Sequence, residues 1–366
     1  MKLKTALSAL SVVLLLGGCA REDSWQGGIK GDTESFTLTY TIPDTDVAGT
    51  RAVTYAGNVP IARASESKIS DVLLLFFEAD DFGNGVYAGS LTGTVEGDNL
   101  ANSGSISVTI PTGGAISADS DYNVLVVANA GVYFPTFDFD AYCAGKTENI
   151  VKIRLQGDMP RTVDSDQKYD ITDTCLLMSG TARKQAGKDM SVVLLRAAVR
   201  VDVRVADAVK DNLILTSATV SNVSAAIPLF SSPRDVTFTP LKYGGMVTAV
   251  ANSIVGGLYV SEVLRTVNTP TLRASQATCV LVNCKEKDYA GTKTWYRVNL
   301  SVSDDYVQYL RRNNAYTLEI QAILTPGEET PDDAENNEAN LQIKAVLIPS
   351  AWDVPEGVVP PQVDVN

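Results

Sequence analysis

Alternation of apolar and polar residues with a period of two constrains this chain most. Phe36-Thr37-Leu38-Thr39-Tyr40-Thr41-Ile42 puts four large apolar side chains on one face and three threonines on the other, the pattern of a half-buried strand. Pro43 ends the run and holds Ile42 extended. Residues 105–110 alternate in the same way, with Ile106, Val108 and Ile110 on one face. Residues 72–77 are an unbroken apolar run and 122–130 a mostly apolar one, as expected of strands covered on both sides. Residues 192–205 read as one long strand, in which Arg200, Asp202 and Arg204 alternate with valines to give a buried face and a charged one. More strands are predicted at 213–220, 257–263, 277–283, 295–302, 315–324 and 340–348. Long amphipathic helices are scarce. Residues 136–169 fit a short helix and loops, 304–312 a helical turn, and 326–337 a solvated loop rich in Pro, Gly, Glu, Asp and Asn. Many short strands and few helices predict an all-β chain of sandwiches rather than α/β units.

The first residues decide where such a chain goes. Lys2 and Lys4 precede an apolar run at 10–16 and then Leu16-Gly17-Gly18-Cys19, the order of a secretory signal, too short to span a bilayer. The small-small-Cys ending resembles the bacterial lipoprotein signal, which implies lipidation of Cys19 and an anchor in the outer membrane. An ordinary secretory signal with a cysteine at its boundary is the alternative. Arg21-Glu22-Asp23 is similar to the acidic sorting signals that carry some Bacteroidetes lipoproteins to the cell surface.

Composition narrows the chemistry. The chain has 30 basic and 43 acidic residues, a formal charge of −13, and loss of Lys2 and Lys4 with the signal makes it more acidic still. Such a surface repels a polyanion, so no nucleic-acid partner is expected. The chain has no histidine, which removes histidine triads and imidazole metal sites. No nucleophile motif, metal or cofactor site stands out, and the chain is not expected to be an enzyme. The acidic pairs at Asp80, Asp304 and Asp332 sit beside turn-forming residues and read as solvated turns. Cys143, Cys175, Cys279 and Cys284 lack zinc-like spacing. Export permits disulfides, but the sequence leaves open whether the four pair or stay free thiols. Cys279 and Cys284 fall on opposite faces of a straight strand.

Several segments, in order, resemble the fimbrillin family, the subunits of Bacteroidetes (type V) fimbriae. They are Val72-Leu73-Leu74-Leu75-Phe76-Phe77, the run from Tyr122 to Ala130, Met178-Ser179-Gly180, Leu195-Arg196-Ala197-Ala198-Val199-Arg200-Val201, Gly257-Leu258-Tyr259-Val260-Ser261-Glu262, Tyr296-Arg297-Val298-Asn299-Leu300, Arg312-Asn313-Asn314-Ala315-Tyr316 and Ala351-Trp352. The resemblance implies two tandem transthyretin-like β-sandwich domains. With the polar stretch 181–189 as the break, the expected organisation is signal 1–18, propeptide 19–51, N-terminal domain 52–186, C-terminal domain 187–352 and tail 353–366.

The resemblance also implies a life history. A lipidated precursor reaches the surface, an Arg-specific protease cuts it, a strand leaves, and another subunit, in a homo-polymer, fills the groove with a strand of its own. Arg51-Ala52 fits the cut, with Arg63-Ala64 as a second candidate. Phe36, Leu38, Tyr40 and Ile42 would belong to the removable strand. Val363 and Val365 would belong to the donor, after an arm containing Pro360-Pro361, which cannot donate to a ladder. The alternative is a monomeric surface lipoprotein, or a tip or anchor adhesin, that binds a glycan or host protein. Tyr133, Phe134, Phe137 and Phe139 are aromatics that could stack on sugar rings or serve as core.

Overall fold

The structure, a computed structural model, describes residues 34–43, 66–95, 102–158, 175–230, 240–241, 245–266, 277–300, 307–337, 342–350 and 363–365. All of them belong to one compact unit, Thr33–Asn366, and the fold is all-β.

The first sheet grows from the alternating and apolar runs. Its strands are β1 (Glu34–Thr41), β2 (Val72–Glu78), β3 (Tyr87–Thr94), β4 (Ser103–Ile110), β5 (Tyr122–Ala128), β7 (Met178–Lys184), β8 (Met190–Val193) and β9 (Leu195–Arg196), while β6 (Gln156–Asp158) pairs elsewhere. The order across the sheet is β8-β1-β4-β3-β2-β5-β7-β9. Leu194 alone separates β8 from β9, so one stretch of chain lines both ends of the sheet. The long strand expected over 192–205 is therefore broken at Leu194, whose N–H donates to Thr41 O at 2.8 Å, and at Ala197, whose N–H donates to Leu177 O at 2.8 Å. Each break lets the chain change partner. Of the polar stretch 181–189, residues 181–184 are the end of β7 and residues 185–189 connect it to β8, and the sheets change over at Ala197.

Strand β2 is buried on both faces as its composition requires. Strand β3, Tyr-Ala-Gly-Ser-Leu-Thr-Gly-Thr, carries no alternation and has no counterpart among the expected strands. Glycine is needed there, because a Cβ on Gly93 would lie 2.7 Å from Ile106 Cγ2. After β5 the chain turns at Asn129 with φ 64°, a left-handed position that Asn tolerates. Three short helices come next, α1 (Ala130–Tyr133), α2 (Phe139–Cys143) and α3 (Glu148–Arg154).

The remaining strands form two larger facing sheets and three small ribbons. They are β10 (Ala198–Val205), β11 (Leu213–Ser221), β12 (Val223–Ser224), β13 (Ala226–Pro228), β14 (Pro240–Leu241), β15 (Val247–Thr248), β16 (Ser253–Ile254), β17 (Tyr259–Ser261), β18 (Val263–Thr266), β19 (Cys279–Glu286), β20 (Trp295–Asn299), β21 (Val307–Leu310), β22 (Ala315–Ile323), β23 (Ile343–Ser350) and β24 (Val363–Val365). One sheet runs β16-β10-β22-β23-β24 with β17 also on β10; the other runs β15-β11-β19-β20. Their valines, leucines and isoleucines meet in between, and this core is continuous with that of the first sheet.

Two expectations fail for physical reasons. Residues 307–310 are strand β21, paired with β18 rather than coiled into a helical turn. Within 326–337, expected as loop, helix α4 (Pro331–Asn336) forms because Thr330 accepts from Asp333 N–H as its cap and proline sits in the first turn. Ala334 of this helix closes over Cys279, Leu281 and Trp295. Cys284 joins the main core instead, so the two cysteines do face opposite sides of β19. Cys143, Cys175, Cys279 and Cys284 are all free thiols. Among the described residues, no helix is long and apolar enough to cross a membrane.

Candidate functional site: the groove filled by the first strand

Strand β1 is an interior strand. It pairs antiparallel with β4 along its whole length, from Glu34↔Ile110 to Thr41↔Ser103, and parallel with β8 from Leu38↔Met190 to Thr41↔Val193. Its alternation works as the sequence dictates: Phe36, Leu38, Tyr40 and Ile42 are buried, Leu38 and Tyr40 completely. The Phe36 ring meets Phe76 edge-on at 6.5 Å, and Lys184 Nζ lies 5.3 Å from the centre of the Phe36 ring. Burial pulls the Lys184 ammonium below its usual pKa, partly offset by Asp121, Asp189 and Asp119.

Burying four such side chains contributes roughly 6–12 kcal/mol at about 1.5–3 kcal/mol each. That rivals the whole net stability of a typical domain, about 5–15 kcal/mol. A chain that lost β1 with no substitute would therefore expose the edges of β4 and β8 beside an empty apolar cleft, an unstable arrangement.

The far end of the strand is held by side chains from distant parts of the sequence. Ile42 N–H donates to Asn102 O at 2.7 Å. The carbonyl of Pro43 then accepts twice, from Arg196 Nη1 at 3.1 Å and from Asn313 Nδ2 at 2.8 Å. Asn313 Oδ1 in turn accepts from Arg196 N–H and Nη1, both at 3.2 Å. The rest of the Arg196 guanidinium donates to Glu66 O at 2.8 Å, Ser67 Oγ at 3.2 Å and Asn102 Oδ1 at 3.3 Å. Arg196 and Asn313 are fully buried. At the near end, Thr37 N–H donates to Asp189 Oδ1 at 2.7 Å.

Glu66, the first described residue after 44–65, is also locked. Its carboxylate accepts from Arg200 Nη1 at 3.0 Å and from the Tyr259 hydroxyl at 2.6 Å, while Arg200 Nη2 donates to Asp202 Oδ2 at 3.1 Å. The charged outer face expected of β10 is thus corrected: Arg200 and Asp202 are buried because Glu66 and the Gly256 N–H, which donates to Asp202 Oδ1 at 2.8 Å, satisfy them. Burial alone would pull the Arg200 pKa down, but Asp202 and Glu66 outweigh it and hold it up. Burial and the Glu66 carboxylate push the Tyr259 phenol up.

The structure thus brings Phe36, Leu38, Tyr40 and Ile42 together in one groove. Cys19, Arg51, Ala52 and the alternative Arg63-Ala64 lie outside the described residues. Val363 and Val365 lie in β24, where their backbone pairs with Leu347 and Ala345 at the edge of β23 in the same chain. Tyr133 is buried and its hydroxyl donates to Cys175 O at 3.2 Å. Phe134, Phe137 and Phe139 pack against one another with centroids 4.8–5.6 Å apart, and Phe137 stays partly exposed. The residues that sequence reasoning missed are Glu66, Arg196 and Asn313. Arg196 and Asn313 sit in segments that carry the family resemblance, but nothing local marks them as partners. The neighbouring Arg312 bonds Pro228 O at 3.0 Å and Glu262 Oε2 at 2.6 Å, and Tyr316 accepts from Arg311 N–H at 3.2 Å. Arg312 and Asn313 of this segment thus tie distant parts of the chain together, while Tyr316 braces the turn that carries them.

No family model matches this chain, and no curated protein matches its sequence. Solved structures do share its fold. A candidate cell adhesion protein from Bacteroides eggerthii superposes with a TM-score of 0.51 at 15% identity, over 87% of this chain and 96% of that one. The tip fimbrial protein Mfa3 from Porphyromonas gingivalis, with a C-terminal truncation, gives 0.50 at 14% identity, over 87% of this chain and 100% of that one. At these identities the likeness is one of fold, all-β as the fimbrillin resemblance implies.

Proposed function

We propose that this chain is a cell-surface fimbrial subunit of the fimbrillin type, supporting adhesion by a structural rather than an enzymatic role. It is exported as a precursor lipidated at Cys19 and anchored in the outer membrane. An Arg-specific protease cuts after Arg51, and the strand that carries Phe36, Leu38, Tyr40 and Ile42 gives way to a strand from another subunit, by preference a second copy of this chain. The observation that carries this reading is the interior place of β1. It fills a groove between β4 and β8, yet it precedes Arg51 in sequence, so a cut there makes it a separate peptide. The shared fold with fimbrial and adhesion proteins supports the setting. The test is to treat the purified full-length precursor with an arginine-specific protease. SDS-resistant oligomers with Ala52 at their N-terminus support the reading; a digest that stays monomeric counts against it.

One observation favours a second reading. The donor segment expected at Val363 and Val365 pairs with β23 of its own chain, which suits a tip or anchor subunit, or a monomeric adhesin, that donates no strand. Deleting 353–366 separates the two, since a stalk subunit would stop extending the polymer and a tip subunit would still cap one.

A further inference from the structure

We infer that the open cleft between the turn at 80–83, helix α3 and strand β7 binds a neutral saccharide, with Phe82 as the platform for a sugar ring. The site is separate from the proposed assembly mechanism, since none of its residues belongs to β1, β4 or β8.

The cleft has a volume of about 510 Å³, within the range of roughly 300–1,000 Å³ that small-ligand sites occupy. Its walls come from three places in the sequence. Asp80, Asp81 and Phe82 form the turn after β2, Asn149 lies on α3, and Thr181 and Arg183 lie on β7. Asn123 of β5 joins turn to helix: its Nδ2 donates to Asp80 O at 2.6 Å and to Glu148 Oε2 at 2.8 Å.

Phe82 is 80% exposed, yet it sits on a turn that is tied down on both sides. Its N–H donates to Asp80 Oδ1 at 3.2 Å, its carbonyl accepts from Asn149 Nδ2 at 2.7 Å, and Asn84 N–H donates to Asp80 Oδ2 at 2.6 Å. Gly83 O accepts from Asn149 N–H at 3.0 Å, and a side chain on Gly83 would collide with that of Asn149. Single exposed hydrophobics are common on surfaces. An aromatic ring presented by so fixed a turn, beside a polar cleft, is a ready apolar platform, and covering it requires no ordering of the backbone.

The polar groups suit hydroxyls better than ions. Arg183 Nη1 donates to Asp81 Oδ1 at 2.8 Å, and Lys152 pairs with Glu148. Asp80 spends its carboxylate on two N–H groups of its own turn. An ionised ligand therefore has to displace a partner that is already in place. Asp81 Oδ2, Asn149 Oδ1 and the Thr181 hydroxyl take no bond from the described residues, and Asp81 and Arg183 have 78% and 47% of their side chains exposed. Planar carboxylate, amide and guanidinium groups can each engage two adjacent hydroxyls of one sugar, whose C–H face would lie on the Phe82 ring. Phe82 and Ala182 are the only apolar side chains among the described lining residues, whereas a protein partner needs a cluster of apolar anchors.

The test uses the purified full chain on an array of neutral, sialylated and sulfated glycans, followed by titration with the neutral glycan that gives the strongest signal. Binding is expected for neutral glycans. Phe82→Ala should weaken it by about tenfold or more, as loss of a stacked ring requires, while Phe82→Trp stays within about threefold of wild type. The exposure of Phe82 means that neither change should lower the Tm, which separates a lost platform from a damaged fold. Asp81→Ala should weaken the same glycan through a second residue, and it serves as the variant if a change at Phe82 fails to fold. An array on which no neutral glycan binds, or only sialylated or sulfated ones do, overturns the site. So does a neutral glycan whose affinity is unchanged by Phe82→Ala and Asp81→Ala. Strand replacement survives each of these results, because it uses other residues.

Discussion

Glu66 Oε2 lies 3.0 Å from Arg200 Nη1, and both side chains are fully buried. Residue 66 comes after the segment that holds Arg51, and Arg200 belongs to β10. The ion pair therefore anchors the chain just beyond the proposed cut to a different sheet, so that cleavage can free β1 without loosening the body of the subunit. Removing one member of such a pair strands a buried charge and costs about 3–5 kcal/mol. Arg200→Met is expected to destabilise the uncut protein by that much, seen as a lower urea midpoint, and Arg200→Met with Glu66→Gln by clearly less than the sum of the two single changes.

Leu38 tests the groove itself. It is completely buried between β4 and β8, so Leu38→Ala should destabilise the uncut precursor by about 2–5 kcal/mol. In material already cut and polymerised the same change should leave subunit stability untouched, because the strand has gone. Urea melts of the two forms provide the check.

Much of the fold is legible in the sequence, and the reason is periodicity. Strands β1, β2, β4, β5, β11, β19 and β22 each declare themselves by alternation or by a mainly apolar run, and the buried face of β1 is the one its pattern names. Strand β3 is hidden because Gly93 leaves room for Ile106 to approach, a demand set by another strand. Arg200 and Asp202 are misread for the same kind of reason: alternation says that they share a face, but only the fold puts Glu66 over it. The clamp of Arg196 and Asn313 joins residues 117 apart, and no local pattern can announce such a pairing.

Alkaline pH should weaken the fold. Burial pushes the thiols of Cys143 and Cys279 up to about 11, and that of Cys284 and the phenol of Tyr296 up to about 12. The unfolded chain releases these protons at about pH 8.5–10, so above that range the folded form binds more of them and stability falls as pH rises. Lys184, held below its usual value, acts in the opposite sense but is outnumbered by the groups that burial shifts up. Urea midpoints under reducing conditions should be level from about pH 7 to 8 and decline from about pH 9 to 11; a rise over that interval would contradict the assignment.

Asn129 should be costly to replace. Its side chain accepts from Ser70 N–H at 2.8 Å and donates to Lys68 O at 2.9 Å and Leu176 O at 2.6 Å, all from a left-handed φ of 64°. Asn129→Ala loses these bonds and strains the turn, a destabilisation of about 2–4 kcal/mol. Thermal melts of the uncut chain would show it as a lowered Tm.

The replaceable first strand is tested most directly by intact-mass and N-terminal sequencing of subunits sheared from the cell surface. The account predicts an SDS-resistant ladder of chains that begin at Ala52 and lack residues 34–43. Surface material that is uniformly monomeric, with residues 34–43 still attached, would contradict it.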